Sequence, residues 1–478
     1  MAKSRVMKRA PVVLGVLLVA AACGDNSPVV TPDAGPSDLL GKLRALPGVT
    51  AEVRPTDRAG YTYYVLHFTQ PVDHDATGGP TFQQEVSLLH RDEAAPMIVQ
   101  TSGYWDYYLD SPVELTSLLA ANQISIEHRY FAESRPVPTD WSKLTIAQMA
   151  ADEHAIISAL HTIYSGKFLT TGASKGGMTA VYHRRFYPDD VAGTVPYVAP
   201  LSFGAPDLRY AAFLDTLGTT GCRQQVRDVA TEMLANRRAT LLARAQDQAT
   251  AQGRSYTRIP IGPAVESAIV SLEWTFWQYY GANLCGQLPA TTATDDTMWG
   301  FLDSISPVSD NDDASVAQFD AYYYQAYVQL GYPDGGAAYL DPYLTYSDAD
   351  YDGALPTQIP AYDGGAAMHD IDSWVQQEGD RLLFIYGEWD PWSGGEFELG
   401  QAADSLRLVQ AHGTHGSRIG RLADPDRLAA YAKLEAWTGV TPIPPTQPRS
   451  HTELGVERRE PRIPPAIVRA LRARGRRG

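Results

Sequence analysis

The sequence is poor in cysteine and in positive charge. Three of its 478 residues are cysteines, too few for a disulfide-dense scaffold or for a metal cluster held by thiolates. Lysine and arginine number 39 against 55 aspartates and glutamates, so the formal net charge is -16. Binding to phosphate backbones needs clustered basic side chains, so this balance argues against nucleic acid as a partner. A content of 44% hydrophobic and 20% charged residues indicates a globular protein with a large core.

The apolar run near the amino terminus is short. Residues 12–19 follow a basic start and precede three alanines and Cys23. Such a run cannot span a bilayer stably, and this order of basic, apolar and small residues is typical of an export signal. The step from alanines to Cys23 resembles a bacterial lipoprotein cleavage site, where the cysteine becomes the lipidated first residue. An ordinary secretory signal cut nearby is the alternative.

This leader predicts where the protein works. We expect residues 1–22 to be a lipoprotein signal peptide and residues 23–38, rich in Pro, Asp and Gly, to be a flexible tether. Contact with a membrane is then expected only through the lipid anchor. The predicted location is the bacterial cell envelope, in the periplasm or on the cell surface, or else outside the cell.

Two cysteines remain beyond the leader. Cys222 and Cys285 lie 63 positions apart, and an even pair in an exported chain suggests a disulfide. Closing a loop of this length stabilises a fold by about 4 kcal/mol in the chain-entropy model. Two free buried thiols are the alternative.

One short stretch, residues 167–186, organises the chain. An apolar run ends in the letters GASKG, and apolar and aromatic residues at helical spacing follow. The pattern G-x-S-x-G between a strand and a helix is typical of a nucleophile elbow, in which small neighbours let the backbone hold the serine in a strained conformation with its hydroxyl exposed. It places Ser174 at the apex.

Alternation of strands and helices surrounds this turn. Strands are predicted at residues 61–68, 82–89, 97–100, 123–127, 168–171, 193–199, 381–386 and 406–410. The helical patterns between them predict an α/β fold, an α/β-hydrolase with a mostly parallel sheet and a large, mainly helical lid inserted between core strands. A final helix is expected at residues 424–438 with Asp424 as its N-cap.

The same pattern divides the chain into regions. We expect the first part of the core at residues 39–200, the helical lid at residues 201–370 and the second part of the core at residues 371–440. Helical patterns within the lid include one continuous run at residues 223–250. A Pro- and Arg-rich tail is expected at residues 441–478.

A serine nucleophile needs a histidine to remove its proton and a carboxylate to orient that histidine. In this fold the acid and then the histidine follow the serine, each in a loop after a strand. Asp390 and His415 meet both conditions. His412 is the rival base, but Gly413 and Gly416 flank His415 and give its loop the backbone freedom to reach inward.

The tetrahedral intermediate of acyl transfer needs two backbone donors. The Lys175 amide follows the nucleophile and is one of them. The loop around Gly103 and Tyr104, after an earlier strand, is expected to supply the other. For the Lys175 side chain the alternatives are exposure to solvent or pairing with a carboxylate.

A metal motif also occurs. Asp348, Asp350, Asp352 and Gly353 match the opening of a calcium loop, but its twelfth position is Ile359 rather than a bidentate glutamate. We therefore expect an acidic solvated loop and no cofactor.

Seven segments together resemble the secreted bacterial tripeptidyl aminopeptidase family of serine peptidases, which is related to prolyl carboxypeptidase and dipeptidyl peptidase II. They are EHRYFAESRP at 127–136, DW at 140–141, GASKGGMTAVYHRRFYP at 172–188, YVAP at 197–200, FWQYYG at 276–281, GEWDPWS at 387–393 and THGSRI at 414–419. The resemblance covers residues 60–439. It implies catalysis by Ser174, Asp390 and His415 and release of short peptides, typically tripeptides, from free N-termini.

A peptidase of that kind needs a counter-charge for the substrate ammonium and walls around the peptide. Glu127, Glu133 and Glu273 are candidates for the first, with structural ion pairs as the alternative for each. The aromatic Trp274 and Trp277 are candidates for the second, with core packing as the alternative. Two other functions use the same features. A carboxylic-ester hydrolase or lipase would need the same triad, and a non-catalytic surface lipoprotein would keep the fold for binding alone.

Overall fold

A computed structural model describes residues 36–356 and 359–444. The predicted signal peptide, Cys23 and nearly all of the predicted tail lie outside these residues. Nine strands form a single sheet: β1 Val49–Arg54, β2 Thr62–Pro71, β3 Thr81–His90, β4 Met97–Thr101, β5 Asn122–Ile126, β6 Phe168–Ala173, β7 Gly193–Tyr197, β8 Leu383–Gly387 and β9 Leu406–Gln410.

Helices fill most of the intervals between these strands. The α-helices of the described residues are α1 Pro36–Ala45, α2 Glu114–Leu118, α3 Ile146–Leu160, α4 Lys175–Phe186, α5 Arg209–Leu214, α6 Thr220–Asn236, α7 Arg238–Gln252, α8 Ile261–Val270, α9 Leu272–Tyr279, α10 Asp295–Ile305, α11 Asp313–Gln318, α12 Asp320–Gln325, α13 Ala366–Glu378 and α14 Asp424–Thr438. Within the described residues no helix is both long and apolar enough to cross a bilayer.

The strand order is β1-β2-β3-β5-β4-β6-β7-β8-β9. The pairs β1–β2, β2–β3 and β3–β5 are antiparallel. The pairs β5–β4, β4–β6, β6–β7, β7–β8 and β8–β9 are parallel. Crossover segments that contain helices join the parallel strands, as a parallel pair requires. The carboxyl ends of β6, β7, β8 and β9 consequently meet at one edge of the sheet.

Alternation along buried strands assigns the helices to the two faces. In β4, Met97 and Val99 pack on the face covered by α1 and α3, whereas Ile98 packs on the face covered by α2 and α14. In β8, Phe384 faces α4 and α13, whereas Ile385 faces α14. A sheet buried on both faces explains why these strands are continuous apolar runs.

Helices α5 to α12 lie between β7 and β8 and form a helical insertion. Its apolar core also includes residues of the loops after β4 and β5, such as Tyr104 and Phe131. Cys222 in α6 and Cys285, shortly after α9, form a disulfide within it. Of the two alternatives for this pair, the structure has the bridge. Helix α13 follows the insertion and packs on the sheet.

Three local expectations differ from the structure. Strand β1 is an additional edge strand that the pattern did not reveal. The helix expected over residues 223–250 is two helices, α6 and α7, that meet at Arg237. Asp424 was expected to cap α14, but the N-cap is Ala423 and Asp424 is the first helical residue, where its carboxylate still favours the positive end of the helix.

Candidate active site

Ser174 lies at the sharp turn between β6 and α4. Its backbone has φ 54° and ψ -126°, a strained conformation for a residue with a side chain. The Ser174 amide donates to the carbonyl of Tyr197 at 2.9 Å, which fixes the turn against the end of β7. Strain held in place by a neighbouring strand is the expected geometry of a nucleophile elbow.

Glycines at the elbow are required by close approach of the backbone. A Cβ at Gly172 would collide with the Gly176 carbonyl group, and a Cβ at Gly176 would collide with the Thr101 carbonyl oxygen. The Thr101 hydroxyl also donates to the Gly176 carbonyl at 2.6 Å. The end of β4 therefore supports the beginning of α4, which explains the G-x-S-x-G spacing in physical terms.

Asp390 and His415 form a buried hydrogen bond. His415 Nδ1 lies 2.6 Å from Asp390 Oδ2, and the two side chains are 3% and 0% exposed. The second carboxylate oxygen, Oδ1, accepts the Trp392 amide at 3.1 Å. Both oxygens of Asp390 thus accept hydrogen bonds, and the bond to Nδ1 fixes the orientation of the His415 ring.

Topology brings this pair to the elbow. Ser174 follows β6, Asp390 follows β8 and His415 follows β9, and these strands are parallel neighbours around β7. Their carboxyl ends share one edge, so loops separated by more than two hundred residues in sequence meet there. The three side chains that sequence order suggested therefore lie at the same edge of the sheet.

His412 has a different environment. It is exposed, with φ 57°, and its ring stacks on Trp389 at a centroid distance of 4.5 Å. Its amide donates to Glu388 at 2.7 Å. Of the two histidines in this loop, His415 is the one bonded to Asp390.

Two further residues hold the His415 loop. Glu114, at the start of α2, accepts the amides of Ile419 and Gly420 at 3.0 and 2.8 Å and the Tyr197 hydroxyl at 2.8 Å. From the other side, the carbonyl of Gln278 in α9 accepts the His415 amide at 2.8 Å. Sequence reasoning missed both residues, because no local motif marks a partner that lies over a hundred residues away.

The predicted oxyanion donors lie beside the elbow. The Lys175 amide is the first of α4 and has no acceptor within the helix. Gly103 has φ 74°, and a Cβ there would lie 2.7 Å from the Gly176 nitrogen, so this loop presses directly on the start of α4. The Tyr104 amide lies 3.2 Å from Ser102 Oγ, and an oxyanion would compete with that hydroxyl.

The Lys175 side chain takes neither of its expected positions. It is neither solvated nor paired with a carboxylate, but is buried and donates to the Gly103 carbonyl at 2.5 Å. Removal from water lowers its pKa well below the ordinary lysine value, against a smaller opposing influence of Glu153.

The three glutamates considered as counter-charges lie in different surroundings. Glu127 is buried, and its carboxylate accepts the amides of Ser134 and Asp106 at 3.0 and 3.2 Å. Burial raises its pKa to about 7. Glu273 is buried in an ion pair with Arg227 at 2.9 Å. Glu133 is exposed.

The two tryptophans of α9 also differ. Trp274 packs against Trp392, two residues after Asp390, with ring centres 5.2 Å apart and interplanar angle 87°. Trp277 has no exposed surface and its ring fills the space above Gly218. Trp274 therefore belongs to the surroundings of the site, and Trp277 packs within the insertion.

The acidic motif at Asp348–Ala354 is a turn of 3-10 helix. The Asp350 carboxylate accepts the amide and hydroxyl of Ser347, both at 2.8 Å. Across the described parts of the chain, no group of three or more His, Cys, Asp or Glu side chains is arranged to hold a metal ion.

A strained serine after a central parallel strand, a buried Asp–His pair after later strands and a helical insertion together define a serine hydrolase of the α/β-hydrolase class. The comparison with family models narrows this class. Residues 32–453 match the family described as PS-10 peptidase S37. The chain belongs to this family and is a serine peptidase.

Curated relatives agree with the family. A prolyl tri/tetrapeptidyl aminopeptidase of Streptomyces mobaraensis is 38% identical over 445 residues, which cover 92% of each chain. The lysosomal Pro-X carboxypeptidase of Mus musculus is 28% identical over 184 residues, 34% of this chain and 37% of that protein.

Among solved structures, a thermophilic esterase from Thermogutta terrifontis matches with 14% identity and a TM-score of 0.32, over 78% of this chain and 99% of that one. Because this TM-score is low, the fold assignment rests on the strand order and on the position of the elbow.

Proposed function

We propose that this serine peptidase releases tri- or tetrapeptides from free N-termini through an acyl-enzyme on Ser174. The observation that carries the proposal is the buried bond of 2.6 Å between His415 and Asp390, at the sheet edge that holds the Ser174 elbow. The extent of similarity to the Streptomyces mobaraensis aminopeptidase supports the substrate class.

Each residue has a defined task in this reaction. His415 Nε2 takes the proton of the Ser174 hydroxyl as the Ser174 oxygen bonds to the scissile carbonyl carbon. The oxyanion is stabilised by the Lys175 amide and by the loop at Gly103. His415 then gives the proton to the leaving amine and the C–N bond breaks. Water, deprotonated by His415, hydrolyses the ester and restores Ser174, while Asp390 stabilises the imidazolium throughout.

Recognition of a free N-terminus requires a carboxylate that the substrate can reach. Glu127 is already bonded to backbone amides, and Glu273 is already paired with Arg227. Glu133 is exposed and lies in the loop that follows β5, next to the loop of Tyr104. Of the three glutamates, Glu133 is therefore the one we propose as the counter-charge.

The test compares three substrates at equal concentration: a tripeptidyl chromogenic amide with a free N-terminus, its N-acetylated twin and a short acyl ester. We expect fast cleavage of the free amide only, abolished in Ser174→Ala without loss of the folded state. In Glu133→Gln we expect KM for the free amide to rise about tenfold, because one charge-assisted hydrogen bond is lost.

Other outcomes identify the rival functions. Cleavage of the ester alone would make the protein an ester hydrolase, and no cleavage of any of the three substrates would favour a non-catalytic binding protein. Full activity in a folded Ser174→Ala variant would exclude the triad. An unchanged KM in Glu133→Gln would move the counter-charge to another residue.

We also propose that the protein is exported and lipid-anchored at Cys23, residue 23 being the first cysteine after the apolar run. Mass spectrometry of the mature amino terminus should find a diacylglyceryl cysteine, and Cys23→Ser should release the enzyme from the membrane fraction. An unmodified mature terminus at another residue would instead indicate an ordinary secretory signal.

A further inference from the structure

Lys175 directly follows Ser174, and its side chain is buried. It is 3% exposed, and Nζ donates to the Gly103 carbonyl oxygen at 2.5 Å. The ring centres of Tyr104 and Phe131 lie 5.4 and 5.3 Å from Nζ. Lys175 therefore contacts the elbow by its backbone and the neighbouring loop by its side chain.

This placement is costly, because lysine is among the residues least often buried without a charged partner. In the described part of the chain no carboxylate lies within 4 Å of Lys175 Nζ. Glu153 acts on it only at longer range and is itself buried, with a pKa raised well above its ordinary value. The amine donates a hydrogen bond in either protonation state, so its contact with Gly103 does not depend on charge.

The acceptor of this bond explains what the burial achieves. The Gly103 carbonyl and the Tyr104 amide belong to one planar peptide group, so a donor that holds the oxygen also sets the direction of the N–H. Gly103 is in a left-handed conformation against the Gly176 nitrogen, which brings the loop close to the elbow. Within the described residues, the donor that holds this carbonyl oxygen is the Lys175 amine.

We infer that Lys175 is a positioning residue, whose side chain orients the Gly103–Tyr104 peptide and thereby assembles the oxyanion hole that its own amide completes. This inference rests on the proposed acyl transfer at Ser174. Lys175 acts through the loop and not on the substrate. Its replacement should therefore weaken stabilisation of the tetrahedral intermediate more than it weakens substrate binding.

The test replaces Lys175 by methionine, which keeps an unbranched side chain and removes the donor. We expect kcat to fall by about 10- to 100-fold with KM within about twofold, since the loss of a complete oxyanion donor costs about 100- to 1,000-fold. Affinity for a tripeptide aldehyde, which forms a tetrahedral adduct with the serine, should fall by a similar factor. Affinity for the product tripeptide should not change.

The matched control is Lys433→Met. Lys433 lies in α14 and pairs with Asp404, which precedes β9 at the opposite edge of the sheet from the site. Its kcat and aldehyde affinity should equal those of wild type. Lys175→Gln, which keeps a shorter donor, should retain more activity than Lys175→Met.

Two results would overturn the inference. One is a folded Lys175→Met enzyme with wild-type kcat and aldehyde affinity, and the other is a parallel loss of aldehyde and product binding, as general damage to the site would cause. If Lys175→Met does not fold, Lys175→Leu, which also lacks a donor, decides: wild-type kcat contradicts the role, and a kcat at least about fivefold lower at constant KM supports it.

Wild type and Ser174→Ala in the same assay establish the acyl transfer separately. If wild type cleaves only the acyl ester, the comparison is made with that ester, because both reactions need the oxyanion hole.

Discussion

The sheet edge and the helical insertion are stabilised in different ways. At the sheet edge, hydrogen-bonded parallel strands hold Ser174, Asp390 and His415 in loops of fixed origin. The insertion packs its helices around an apolar core and adds a disulfide and polar pairs between helices, such as Arg238 with the fully buried Glu266 at 2.7 Å. The candidate catalytic residues thus lie on loops fixed by parallel strands, and the region that packs against them consists of helices cross-linked by one disulfide.

The two regions meet at His415, whose amide donates to the Gln278 carbonyl of the insertion. Perturbing the edge should therefore remove turnover and leave the fold intact, whereas perturbing the insertion should reduce stability first. The following predictions test this division, beginning with the largest effect.

His415→Gln should lower kcat by roughly 10,000-fold or more, because the proposed general base for Ser174 is lost. His412→Gln, in the same loop but exposed and stacked on Trp389, should stay within about threefold of wild type. Steady-state kinetics and circular dichroism of both variants provide the measurement. Equal losses in the two variants would contradict the assignment of the base.

Replacing both Cys222 and Cys285 by serine should lower the free energy of unfolding by about 3 kcal/mol, since the bridge closes a long loop. Hydrogen exchange should show faster opening of α6 and α9 than of β6 and β7. If both regions exchange faster by the same factor, the insertion does not open independently. Two cysteines that react with a thiol reagent in the native protein would remove the premise.

Glu127 predicts a pH dependence of stability. Its pKa is raised to about 7, chiefly by burial, so its contribution is fully present below its ordinary pKa and is lost as pH rises through 7. The loss is at most about 3 kcal/mol. Urea unfolding at pH 5 and pH 8 should show a smaller decrease for Glu127→Gln than for wild type.

The control for this measurement is Glu133→Gln. Glu133 is exposed, six residues along the same segment, and its variant should follow the wild-type profile. A Glu127→Gln profile parallel to wild type would show that the buried carboxyl does not take up a proton in this range.

Glu273→Gln should have the smallest effect, lowering the free energy of unfolding by about 2 kcal/mol. The variant leaves Arg227 with Asp215 as its remaining partner, so less is lost than in a fully buried pair. KM for a peptide with a free N-terminus should not change. A large rise in KM without destabilisation would instead indicate that the Glu273 carboxylate binds the substrate ammonium.

Local sequence patterns predicted most strands of the sheet but did not predict where the helices of the insertion begin and end. Partial alternation predicted β2 and β3, and short apolar runs predicted most of the other strands, because strands buried on both faces, such as β4 and β8, have that composition whatever they pair with. Strand β1 is exposed at four of its six residues and gave no comparable signal. In the insertion, helical periodicity indicated helices but could not place the break between α6 and α7, since Arg237 is held by Glu232 and by the distant Asp295.

The candidate site divides in the same way. The order of Ser174, Asp390 and His415, each after a strand, could be predicted, and the pattern favoured His415 over His412. The partners that hold the His415 loop could not. Glu114 and Gln278 contact the His415 loop from elements more than one hundred residues earlier in the chain. No spacing pattern in a single sequence records such contacts.

The sequence alone determined the class of fold, the strained serine turn and the order of the candidate catalytic groups, because these depend on local periodicity, on glycine and on chain direction. Only the tertiary structure decided which acidic and basic side chains are buried and which groups are their hydrogen-bond or ion-pair partners. From the sequence, Glu127 and Glu273 were candidates for a substrate counter-charge or for structural ion pairs, and Lys175 was expected in solvent or beside a carboxylate. Each of the three has a partner within the protein, because a buried polar group without one is costly.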